Sequence, residues 1–135
     1  MKLPHKAHVA VVDGKRFILL HNTGQPFEPK LDGAETPDLE ATNFSAGVKH
    51  QDDGGQKTGA TDLDELAHAA AAAEWLNRAV MDGKIKQLMV VADPKTLGEM
   101  RRHYNAKLKE ALVGELAKTL TGENSSVIAK AIASA

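Results

Sequence analysis

The run Leu88-Met-Val-Val-Ala92, followed at once by Asp93-Pro94, constrains this chain more than any other stretch. Five apolar residues without polar alternation describe a strand covered on both faces. Asp93 then offers an oxygen to cap a helix, and Pro94 a first helical residue whose φ is already set. A strand buried on two sides that runs straight into a helix belongs in a layered α/β domain. On the helix so begun, Leu97 and Met100 fall on the inward side.

The remaining elements read outward from that pair. His8-Val-Ala-Val-Val-Asp13 and Arg16-Phe-Ile-Leu-Leu-His21 are β-rich runs joined through Asp13-Gly14-Lys15, which predicts a hairpin. Asn22-Thr-Gly-Gln-Pro26 makes a second turn. Phe27 to Glu35 reads as a third strand, at an edge because Pro29 cannot donate to a ladder. Leu63 to Met81 is the clearest helix, with Leu66, Ala69, Ala70, Ala73, Leu76 and Val80 repeating at helical spacing. Thr61 or Asp62 is its expected cap, Asp64 or Glu65 completes a capping box, and Gly83 stands just past its end. Ile85 to Ala92 contains the fourth strand. A second helical piece covers about 105–112, and Val113 to Leu120 reads as a last strand, with helix in competition. Ser125 caps and opens a closing helix to Ala133. The expected order is β-β-β-α-β-α-β-α: an α/β single domain over 1–135, its mixed five-stranded sheet carrying helices on its faces. That order is ribonuclease H-like.

Residues 36–61 carry no apolar period and form a long polar loop, of the kind that tends to be functional or disordered. Apolar content of 42% with 26% charged residues nonetheless describes a folded, globular chain. No apolar run approaches bilayer length, so no membrane insertion is expected. The opening MKLPHKAHVAVVDG is too short in its apolar part for a signal peptide, and a cytoplasmic location is expected. Without cysteine there are no disulfides and no thiolate metal sites.

A net charge of −1 gives no global attraction to nucleic acid, and no DNA partner is expected. Lys95, Arg101, Arg102, His103, Lys107 and Lys109 gather in one helical region. Lys95, Arg101, Arg102 and Lys107 are the candidates for an RNA or partner surface, against the plainer reading of a solvated face. Asp13, Glu65 or Glu74, and Asp93 could be gathered for metal-dependent nuclease chemistry, yet each has a turn, helix or cap role at hand. His5, His8, His50 and His68 show no zinc spacing, so neither metal nor cofactor is expected. Trp75 lies off the apolar stripe, marking either a partner surface or a place covered by a terminal segment.

Three blocks carry a family resemblance: His8-Val-Ala-Val-Val-Asp-Gly14, Leu88-Met-Val-Val-Ala-Asp-Pro-Lys-Thr-Leu-Gly-Glu-Met-Arg101, and Val113-Gly-Glu-Leu-Ala-Lys-Thr-Leu-Thr121. In these the chain resembles the bacterial host attachment proteins (proteins required for attachment to host cells), which are related to the middle domain of eukaryotic and archaeal peptide release factors. The resemblance implies a release-factor-like fold and a binding or adaptor module without catalysis, with ribosome or tRNA as partner; no protein partner can be named.

It also draws attention to Gly54-Gly55-Gln56, the tripeptide with which release factors cleave the ester between peptide and tRNA. In the release-factor domain that loop likewise precedes a long helix returning to the sheet. Gly54 and Gly55 would permit backbone angles closed to other residues, and Gln56 would place an amide beside the ester and an attacking water. This is the alternative reading: a small peptidyl-tRNA hydrolase or ribosome-rescue factor. Asp52 and Asp53 immediately before the tripeptide depart from the basic residues of release factors and would repel RNA phosphates. The other reading of the stretch is a polar connection.

Overall fold

Strand β1 (His8–Val12) is the middle of the sheet. The computed structural model describes residues 1–39 and 57–135, the first seven of the second part as backbone only. β1 pairs antiparallel with β2 (Phe17–Asn22), register His8 to His21 through Val12 to Phe17. On its other side it pairs in parallel with β4 (Leu88–Ala92), His8 opposite Leu88 and Val12 opposite Ala92. β3 (Leu31–Glu35) lies antiparallel outside β2, and β5 (Leu112–Ala117) parallel outside β4. The five-stranded order is β3-β2-β1-β4-β5, a mixed sheet with the hairpin strands on one wing.

Among the described residues four helices cover it: α1 (Lys57–Met81), α2 (Pro94–Arg101), α3 (Ala106–Ala111) and α4 (Ser125–Ser134). Alternation along the strands divides the core in two. Ala10, Val12, Phe17, Leu19 and Val90 pack under α1, meeting Ala69, Ala72, Ala73 and Leu76, while Leu97, Met100 and Leu108 of α2 and α3 close that layer. Val9, Val11, Leu20, Met89 and Val91 point the other way, against Ile128, Ala129 and Ile132 of α4 and against Leu3 and Ala7 of the N-terminal segment. All five residues of β4 are buried, as its unbroken apolar run requires. Alanines on α1 bring its axis close to the sheet, because a methyl group is all that separates backbone from strand.

Two buried amides fasten the layers. Asn22 donates through Nδ2 to the Leu3 carbonyl at 2.9 Å and accepts at Oδ1 from the amides of Gly24 (2.8 Å) and Lys30 (3.0 Å). Asn77 of α1 donates to the His103 carbonyl at 2.8 Å and accepts from the Asn105 amide at 3.1 Å, tying α1 to the link between α2 and α3.

Several boundaries differ from the sequence expectation. The third strand begins at Leu31 rather than Phe27; a Gln25–Glu28 bridge uses up the preceding residues, and Phe27 is 72% exposed. Its edge position is as expected. The long helix begins at Lys57, so Thr61 and Asp62 already lie in helix and do not cap it; residues 57–61 of the expected polar loop are helical, and 40–56 of it lie outside the described residues. The region after β4 holds two helices as expected, α3 being capped by the Asn105 side chain on the Leu108 amide at 2.8 Å. The last strand spans Leu112–Ala117: parallel pairing with β4 overrides the helix propensity of its Ala and Leu. Asn124, not Ser125, caps α4. Asp93 caps α2 as expected, accepting from the Thr96 amide at 3.1 Å.

Candidate functional site

β1 and β4 run in parallel and stop side by side at Val12 and Ala92, so Asp13 and Asp93 reach the same rim. The carboxyl ends of neighbouring parallel strands are where open α/β sheets leave room for ligands. α1 adds Glu65 and His68 from above, and the turn between β1 and β2 adds Lys15 and Arg16.

Asp13 is the most heavily used group of the rim. Its carboxylate accepts from the amides of Lys15 (2.7 Å) and Arg16 (2.6 Å), from Arg16 Nε (3.2 Å) and from the Thr121 hydroxyl. Burial alone would raise its pKa; the Thr121 hydroxyl, the two amides and the Arg16 charge outweigh that, and the net direction is downward. Asp13 therefore pins the tip of the hairpin and the segment after β5 to one point.

Glu65 occupies the space over Gly14. A Cβ at residue 14 would lie 2.4 Å from Glu65 Oε2, so the turn takes glycine to let α1 come down. The same carboxylate lies 3.9 Å from Lys95 Nζ. Asp13, Glu65 and Asp93 thus line one open hollow of about 580 Å³, and Glu74 does not belong to it. Among the described residues no three His, Asp or Glu side chains are disposed to hold a metal ion. Turn, ion pair and cap account for the three carboxylates.

His68 is differently placed. Its Nδ1 lies 2.9 Å from the Asp13 carbonyl oxygen. A carbonyl only accepts, so Nδ1 carries the proton and Nε2 the lone pair. Burial lowers the His68 pKa more than the Asp13 hydrogen bond and charge raise it, which favours the neutral ring. His68 lines a second hollow of about 430 Å³ that shares Lys15 and Arg16 with the first. Nothing in its sequence neighbourhood set it apart; the signal was only its place one turn after Glu65.

The other histidines are scattered. His5 Nδ1 meets the Gly24 carbonyl at 2.8 Å. His8 and His21 stack obliquely across the hairpin, ring centroids 6.0 Å apart, and burial followed by the His21 and Lys84 charges lowers the His8 pKa. His50 lies outside the described residues. Trp75 packs edge-on against Phe17 at 5.5 Å, with Lys84 Nζ 4.9 Å from its ring centre, so β2 and not a terminal segment covers it.

The basic candidates lie on α2, on the turn after it and on α3, and several have an acid nearby. Arg101 donates from Nε (3.1 Å) and Nη2 (2.8 Å) to Glu115 Oε1, whose other oxygen accepts from the Tyr104 hydroxyl at 3.1 Å. Arg102 and His103 both meet Glu99, at 3.3 and 2.9 Å. Lys95 faces Glu65, while Lys107 and Lys109 stand exposed on α3. The fixed acids cancel much of the positive field that Lys95, Arg101, Arg102 and Lys107 would otherwise present together.

Gly54, Gly55 and Gln56 lie outside the described residues. The chain resumes at Lys57, the residue directly after Gln56 and the first of α1. From Lys57 to Glu65 the helix advances about 12 Å at its ordinary rise. A further hollow of about 520 Å³ lies between β3 and α4, where Glu28, Lys30, Asp32, Ser126 and Lys130 surround an apolar floor of Leu31 and Ala129.

A sequence profile described as bacterial archaeo-eukaryotic release factor family 12 matches residues 6–132. An uncharacterised protein of Rickettsia prowazekii (strain Madrid E) is 25% identical over 135 residues, covering 92% of this chain and 90% of that relative. The profile supports the release-factor side of the resemblance and does not carry the attachment name. No helix among the described residues is long and apolar enough to cross a membrane.

Proposed function

We propose, for a chain that belongs to bacterial archaeo-eukaryotic release factor family 12, a role in translation as a binding module that engages the ribosome or tRNA in the cytoplasm. The family match over residues 6–132 carries this reading, because it takes in all five strands and the whole rim. Contact with RNA would fall on Lys95, Arg101, Arg102 and Lys107, each of which is exposed on α2, α3 or the turn between them. An attachment phenotype, where one occurs, would follow indirectly from altered protein synthesis. Sedimentation with ribosomes at low and high salt tests the proposal: association expected at low salt should weaken as salt rises. Absence of association at low salt would remove the role.

A second reading, cleavage of the peptidyl-tRNA ester, is favoured by one observation: Gly54-Gly55-Gln56 directly precedes the first residue of α1 in a member of a release-factor family. Gln56 would position water at the ester carbonyl, with the two glycines giving close backbone approach. Asp52 and Asp53 oppose it by their charge beside phosphates. Ribosome-bound peptidyl-tRNA offered to the wild-type chain and to Gln56→Ala separates the readings. Peptide release lost in the variant establishes the hydrolase; no release by wild type, with sedimentation retained, leaves the binding module.

A further inference from the structure

We propose that the hollow beside His68 binds a ribonucleoside monophosphate unit, its phosphate on Lys15 and Arg16 and a ribose hydroxyl on His68 Nε2. The inference stands apart from the release-factor reading, since it rests on the described residues of the rim. The hollow, about 430 Å³, is of a size that small-molecule sites commonly have.

Three kinds of surface meet in it. Lys15 and Arg16 line it, and Asp13 orients the Arg16 guanidinium by taking Nε and Nη2 at 3.2 Å each, which leaves the Nη1 edge for an anion. A guanidinium held by a carboxylate on one edge is already turned for a phosphate on the next. Ile18, Pro37 and Leu39 supply an apolar wall against which a flat base can lie. His68 lines the same hollow, and its Nδ1 is committed to the Asp13 carbonyl. Its remaining nitrogen can only accept, so the matching ligand group is a donor such as a sugar hydroxyl.

The arrangement discriminates against simpler ligands. Inorganic phosphate would use the cations and leave the apolar wall and His68 unused. A nucleoside would use the wall and His68 without the cations. A nucleotide uses all three, whether free or as the end of an RNA strand.

Isothermal titration calorimetry of the full chain at low salt with AMP and CMP tests this, beside adenosine, inorganic phosphate and 2′,3′-dideoxy-AMP. Saturable nucleotide binding is expected, with each of the three comparison ligands about tenfold weaker or more. Lys15→Glu, a change in an exposed turn, should bring AMP down to the affinity of adenosine. His68→Gln should weaken AMP and leave dideoxy-AMP unchanged. Amide shifts on AMP addition should gather at residues 15–18, 36–39 and 121. An RNA oligonucleotide that displaces AMP identifies an RNA end as the source; one that does not identifies free nucleotide. Absence of saturable binding by either nucleotide, or dideoxy-AMP binding as tightly as AMP, overturns the proposal.

Discussion

The His68 ring donates through Nδ1 to the carbonyl oxygen of Asp13, 55 positions earlier in the chain, at 2.9 Å. One bond therefore joins the long helix to the end of the central strand. The same aspartate binds the β1–β2 turn and Thr121 through its side chain, so three parts of the chain meet at one residue.

His68 and His8 both have pKa values pushed below the ordinary 6.5, in each case chiefly by burial. The unfolded chain then takes up protons on these rings before the folded one does. Their contribution to stability is present above about pH 6.5 and is lost as the pH falls below it. Urea midpoints measured from pH 7.5 down to 5.5 should decrease, and His68→Gln should flatten the slope. A slope unchanged in that variant would refute the assignment.

Asp13 has the opposite character, a carboxylate whose folded pKa lies below the ordinary 3.8. Its stabilisation is present above that value and disappears as the pH falls through the lower folded one. Asp13→Asn should remove part of the acid-range pH dependence seen below pH 4. Thermal melts of both proteins across that range provide the check.

Asn22→Ala should cost roughly 2–4 kcal/mol, because it leaves the Gly24 and Lys30 amides and the Leu3 carbonyl without their partner in a buried place. The urea midpoint should fall with little change in slope. A loss under half a kilocalorie would show that water replaces the amide.

Gly33→Ala should destabilise by about 1–3 kcal/mol. Gly33 has φ +67, and a Cβ there would lie 2.4 Å from His21 Cε1. Adding His21→Ala should recover the steric part and leave the backbone part, a partition that a double-mutant cycle measures.

The ion pairs on α2 set the last expectation. Glu115→Gln releases Arg101 from the carboxylate oxygen that takes its Nε and Nη2, and should strengthen ribosome association at low salt, while Arg101→Ala with Lys107→Ala should weaken it. Each lost phosphate contact should reduce the salt slope by about 0.7–0.9. Identical sedimentation of all three proteins would place RNA contact elsewhere on the molecule.

The elements that were legible in the sequence were those whose local chemistry and burial agree. Leu88-Met-Val-Val-Ala92 with Asp93-Pro94, and the hairpin around Asp13-Gly14, state their roles twice, in pattern and in turn chemistry. Leu112–Ala117 was ambiguous because its strand character comes from pairing with β4 and not from its residues. The start of α1 was misplaced for a related reason: Thr61 and Asp62 are good caps locally, yet helix already runs through them. At the rim, Asp13, Glu65 and Asp93 were visible as carboxylates, and the hollow they share could be known only from topology. His68 was weighed only as a zinc ligand, and Asn22 and Asn77 passed unnoticed, since their significance lies in partners 55, 19 and 26 to 28 residues away.

Gly14 and Glu65 mark where α1 comes down onto the sheet, and about 12 Å of helix lies ahead of that point. The seated portion is clamped by Ala69, Ala73 and Leu76 below and by Asn77 at the side. A side chain larger than hydrogen at residue 14 would have to lift this helix, and the bond from His68 to the Asp13 carbonyl would shift with it.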